Sequence, residues 1–206
     1  MSALREHHEP LPQTFERPVP PTTQAAEGLL RRRFTVADVE AMVAAGIMDP
    51  KERVELIGGE LVPMSAKGIR HERLKTFVMM QLARKLPEPL AFTPETTFRL
   101  SEDTFVEPDF VVYENPAALE GLDGPSSLLA IEVGDSSLAY DRGRKALIYA
   151  AFGVRELWVI DAVRLETRVF LEPMPLGYRR VADFRTEATL TPIAVPGLAI
   201  TLSDYS

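Results

Sequence analysis

One carboxylate inside an apolar run gives this chain its first chemical clue. Glu132 sits in Leu128-Leu129-Ala130-Ile131-Glu132-Val133, a pattern that reads as a strand buried on both faces. A buried, unpaired carboxylate is costly, so Glu132 needs a metal ion, a cation or a proton as partner. Asp109 follows Pro108 and opens the apolar run Phe110-Val111-Val112-Tyr113. Lys145 falls on a helical stretch after Glu132. Each of the three, taken alone, reads as structural. Together they form a candidate acidic site, and carboxylates with one lysine suit hard cations such as Mg²⁺ or Mn²⁺.

Other chemistries find no support. The chain has no cysteine, which excludes disulfides, thiolate metal sites and cysteine nucleophiles. Three histidines, two of them adjacent near the N-terminus, cannot build a histidine-rich zinc site. No glycine-rich phosphate loop, dinucleotide fingerprint or Gly-x-Ser-x-Gly elbow is present. The formal net charge is -7. A nucleic-acid role must therefore rest on a local basic patch or on metal ions between carboxylates and phosphate. No apolar run approaches the ~20 residues of a membrane span, and the first residues lack a signal-peptide core. The expectation is a cytoplasmic protein with no membrane partner.

At 206 residues the chain can bury a proper core. Residues 1–33, with Pro10, Pro12, Pro18, Pro20 and Pro21, read as a flexible tail, and 34–206 as a single domain. Arg31-Arg32-Arg33 is either a solvated run or a phosphate contact. Thr35 suits an N-cap for a helix that stops at Gly46. Two short strands around Gly58-Gly59 make a hairpin, with Glu60 on its solvated face and Glu55 left open. Helical spacing returns over 69–86, with Leu74, Phe77, Val78, Gln81 and Leu82 as the apolar face. His71 lies in the first turn, as a surface or capping residue or as part of a site.

Strand-like residues follow from Glu95 to Val106, and then the two runs that hold Asp109 and Glu132. If those two strands pair antiparallel, the two acids lie side by side at one sheet end. The helix over 138–152 places Leu138, Asp141, Lys145, Tyr149 and Phe152 on one stripe, which turns Lys145 toward the sheet. An Asp141–Lys145 salt bridge is the alternative. Arg142 and Arg144 fall off the stripe and face phosphate or water. Residues 157–160 should then run parallel to 128–133 through the crossover, and 166–171 return antiparallel.

Pro108-Asp109, Ile131-Glu132-Val133, Asp141 and Lys145, in this order, resemble the PD-(D/E)xK nuclease superfamily. More narrowly, the chain resembles a bacterial family of restriction-endonuclease-like proteins. The hairpin Val54–Glu60, the helix with His71 and the segment Tyr149–Asp161 extend the resemblance from about Thr35 to the C-terminus. It implies a mixed α/β (α+β) fold, a restriction-endonuclease-like sheet flanked by helices, with an N-terminal helix and hairpin. It implies Asp109 and Glu132 as metal-binding acids for Mg²⁺ or Mn²⁺, with Glu55 completing the catalytic set. The superfamily's usual lysine stands two positions after the glutamate, where this chain has Gly134, so the resemblance implies a lysine moved to Lys145. His71, Arg142 and Arg144 are the candidate substrate contacts. The implied function is metal-dependent hydrolysis of DNA phosphodiester bonds by a homodimer. The rivals are a non-catalytic interaction protein on the same fold, and a hydrolase of a small phosphorylated substrate.

Overall fold

The apolar run around Glu132 forms a strand in which every residue is buried. The computed structural model describes residues 29 and 31–205. Of the tail expected over 1–33, residues 1–28 and 30 lie outside that description. In chain order the elements begin with α1 (Val36–Ala44), β1 (Val54–Ile57), β2 (Glu60–Pro63), α2 (Ile69–Lys85) and β3 (Ala91–Pro94). Next come β4 (Phe98–Ser101), β5 (Thr104–Val106), β6 (Phe110–Tyr113), β7 (Leu129–Gly134) and α3 (Leu138–Tyr140). A π turn (Asp141–Lys145) leads into α4 (Ala146–Ala151), β8 (Glu156–Asp161), β9 (Thr167–Met174), β10 (Gly177–Phe184), β11 (Thr189–Leu190) and β12 (Ile200–Thr201).

The described chain divides into two compact units. One holds residues 65–98 and 107–205, the other those up to 64 together with 99–106. The division is discontinuous because β5 pairs with β1, far back in the sequence.

The smaller unit is built from local signals. Thr35 caps α1 through a capping box: its hydroxyl accepts from the Asp38 amide while the Asp38 carboxylate accepts from the Thr35 amide. Gly58 and Gly59 turn the β1–β2 hairpin with φ of 57° and 82°, which only glycine adopts freely. The strands run in the order β2-β1-β5-β4. Val36, Val39, Met48, Val54, Leu56 and Phe105 fill the core beneath them. Arg31 pairs with Glu60 at 3.1 Å, and Arg32 lies over the Phe34 ring.

The larger unit carries a six-stranded sheet in the order β10-β9-β8-β7-β6-β3. Only β7 and β8 run parallel, joined by the helical crossover; β6–β7 and β8–β9 are antiparallel. The apolar face of α2, through Leu74, Val78 and Leu82, packs with Phe110, Leu129, Ile131, Val133, Trp158 and Ile160. Strand alternation then turns Ala130, Glu132 and Gly134 to the opposite face. There Gly134 lies against Leu138 and Asp141.

Two expectations change in detail. Strand β3 ends at Pro94, and Glu95 is a left-handed bend with φ of 49° rather than the start of a strand. The helix expected over 138–152 is interrupted by the π turn, in which the Ala146 amide donates to the Asp141 carbonyl.

Candidate active site

The register of β6 and β7 decides the site. Phe110 pairs with Ile131, so Asp109, one residue before β6, comes alongside Glu132. Asp109 is tied to the neighbouring strand beside Glu132: the Val133 amide donates to Asp109 Oδ2 at 2.8 Å. Both acids are buried, at 3% and 4% exposure, and each is compensated by its own donors. Asp109 Oδ2 also faces His71 Nε2 at 3.1 Å, and Oδ1 accepts from Lys67 Nζ at 3.0 Å. Glu132 Oε1 accepts from Tyr149 Oη at 2.6 Å and from Lys145 Nζ at 2.9 Å.

The crossover delivers that lysine. Asp141, Lys145 and Tyr149 are all buried and follow one another at four-residue steps along the inward stripe. Lys145 engages Glu132, while Asp141 accepts from the Ser137 hydroxyl at 2.7 Å. Gly134 shows why the lysine comes from the helix. A Cβ there would stand 2.9 Å from Leu138 Cα and 3.1 Å from an Asp141 carboxylate oxygen. The packed crossover leaves no room for any side chain at this position.

The two acids differ in their proton affinity. Burial pushes Glu132 up to about 8; Lys145 and Tyr149 pull it down, while the charges of Asp141 and Asp109 add to the rise. Burial acts on Asp109 too, but His71, Lys67 and the Val133 amide outweigh it and hold that carboxyl down at about 2. The two acids are thus shifted in opposite directions: the donors around Asp109 favour its carboxylate, and burial favours the protonated form of Glu132.

A second network supports Asp109 from outside. Lys67, in the irregular stretch before α2, spans Asp109 and Glu95, at 3.0 Å and 2.5 Å. Lys75 reaches the same Glu95 oxygen at 2.9 Å and also pairs with Glu72. His71 Nδ1 faces Glu72 at 3.1 Å. His71 is therefore buried between two carboxylates, not a surface cap. Lys67, Glu95 and Tyr149 as a hydrogen-bond donor went unrecognised in the sequence. Lys67 and Glu95 lie far apart in the chain and have no periodicity to betray them; Tyr149 was legible only as part of the apolar stripe.

Glu55 is buried at 3% exposure on β1 of the smaller unit. Arg142 and Arg144 are half-buried in the π turn, and an Arg142 nitrogen lies 4.0 Å from Asp161. Among the described residues, no three His, Cys, Asp or Glu side chains form a group able to hold a metal ion. Among the described residues, Asp109 and Glu132 would hold a cation here. Two carboxylates and no soft ligand fit Mg²⁺ or Mn²⁺, which complete their shells with water and substrate phosphate.

This mixed sheet with its one parallel crossover is a restriction-endonuclease-like fold. The chain belongs to the Uma2 family, described as "Putative restriction endonuclease", whose model matches residues 36–203. Among solved structures it is similar to "a putative nuclease belonging to DUF820" from Anabaena variabilis ATCC 29413. That likeness has a TM-score of 0.63 at 15% identity and covers 84% of this chain and 97% of the other, so it is a likeness of fold. No curated protein matches the chain. Among the described residues no helix is long and apolar enough to cross a membrane.

Proposed function

We propose that this chain is a metal-dependent endonuclease that hydrolyses DNA phosphodiester bonds. The observation that carries the reading is the β6–β7 register, which sets Asp109 beside Glu132 with Lys145 on the glutamate. Asp109 and Glu132 would hold Mg²⁺ or Mn²⁺, and the ion would supply Lewis-acid polarisation of phosphate and a more acidic water.

The protein's own groups do the rest. His71 and the Val133 amide fix the Asp109 carboxylate, and Tyr149 fixes that of Glu132. Lys145 brings a positive charge to the acid pair, where it stabilises the negative charge that develops on phosphorus. Arg142 and Arg144 serve as backbone contacts in a chain whose net charge of -7 gives DNA little general attraction. The active form is a cytoplasmic homodimer, since cutting both strands takes two sites.

The test uses supercoiled plasmid with Mg²⁺, Mn²⁺ or EDTA, comparing wild type with Glu132→Ala and Lys145→Ala. Metal-dependent nicking that disappears in both variants supports the assignment; wild-type cleavage by Glu132→Ala would end it. The net charge favours a second reading, an interaction protein that keeps the nuclease fold without the activity. Absence of both cleavage and Mn²⁺ binding would select it.

A further inference from the structure

Asp109 offers its two oxygens unequally. Oδ2 is committed to groups fixed by regular structure, the Val133 amide of β7 and His71 of α2. Among the described residues, Oδ1 is held by Lys67, whose backbone lies in a stretch with no helix or strand. The Lys67 ammonium also sits 2.5 Å from Glu95 Oε1. A long side chain between two carboxylates can shift its weight to either without losing a counter-charge.

Glu95 is held for that purpose by an unusual backbone. Its φ of 49° is left-handed, a conformation that costs a non-glycine residue energy and persists where its surroundings enforce it. The Glu95 amide donates to the Asp109 carbonyl at 3.3 Å, so the bend is tied to the residue it serves. Lys75 donates to the same Glu95 oxygen, at 2.9 Å, and helps to fix the carboxylate.

From this geometry we infer that Lys67 is the internal cation of the site, bridging Asp109 Oδ1 and Glu95 until a divalent metal displaces it from Asp109 and leaves it on Glu95 alone. Glu95 is the positioning residue that receives it. The inference rests on Asp109 being a metal-binding acid and adds how its entry is controlled. Lys67 lowers the site's affinity for metal, and it preserves the buried carboxylate when no metal is present.

The experiment measures Mn²⁺ binding to the full chain, by electron paramagnetic resonance of the free ion. Wild type is compared with Lys67→Met, Glu95→Gln, the double variant and Lys75→Met, each first shown folded by its melting curve. Lys67→Met should tighten Mn²⁺ binding about tenfold or more, the effect of removing a resident competitor. Lys75→Met, which removes a neighbouring charge that does not touch Asp109, should change it less than about threefold. Glu95→Gln should weaken binding in the wild-type background and have little effect once Lys67 is gone, because it acts through that lysine. Equal effects of Lys67→Met and Lys75→Met, or of Glu95→Gln in both backgrounds, would overturn the gate while leaving the metal site standing. A wild-type protein that binds no Mn²⁺ would overturn both.

Discussion

Replacing Asp109 separates two contributions that its carboxylate makes. The first is ionic. Lys67 and His71 face it, and the carboxyl is held down from its ordinary 3.8 to about 2, which amounts to roughly 2 kcal/mol of preference for the charged form in the folded state. The second is the buried hydrogen bond from the Val133 amide at 2.8 Å; stranding that donor costs about 1–3 kcal/mol. Asp109→Ala loses both, about 3–5 kcal/mol at neutral pH. Asp109→Asn retains an oxygen for the amide and loses mainly the ionic part, about 2 kcal/mol. The assay is urea unfolding at pH 7, repeated at lower pH. Because the folded-state value is depressed, the ionic contribution is present above about 4 and lost as pH falls through about 2. The gap between wild type and Asp109→Asn should therefore close in acid, while the extra cost of Asp109→Ala persists. Equal stabilities of the two variants at pH 7, or a gap independent of pH, would refute the reasoning.

Glu132 behaves in the opposite sense. Its folded-state value is raised from 4.5 to about 8, so its contribution is present below about 4.5 and lost as pH rises through about 8. Melting curves should show Glu132→Gln gaining on wild type between pH 5 and 8, and a constant difference would contradict this. Tyr149→Phe removes the 2.6 Å bond to Glu132 and should cost about 1–3 kcal/mol, with plasmid nicking slowed but its metal requirement intact. Gly134→Ala should destabilise by about 1–3 kcal/mol through the clash with Leu138 Cα. For the same reason Gly134→Lys combined with Lys145→Ala should restore no nicking; recovered cleavage would show that the helix can yield.

Much of this protein can be read from residue order because its main signals are local. The apolar run of β7 and the spacing along α2 mark their elements, and strands adjacent in sequence tend to pair, which brings Asp109 to Glu132. Lys145 was legible for a similar reason: four-residue steps from Asp141 to Tyr149 put it on the buried stripe. The family resemblance drew on the same ordered segments.

Tertiary structure decided the rest. The sequence left His71 between surface cap and site member, and only the packing of α2 on the sheet buries it against Asp109. Lys67 and Glu95 meet across the whole of α2 and β3, where contact depends on how those elements pack and not on any pattern within one of them. The pairing of β5 with β1 divides the chain into two units that composition does not reveal. Gly134 is a plain departure from the superfamily motif until Leu138 is seen against it. Periodicity is a property of neighbours in sequence, whereas the compensation of a buried charge depends on whatever the fold brings within about 3 Å. The sequence alone therefore located the acids and their lysine, and the tertiary fold chose the counter-ions that hold them.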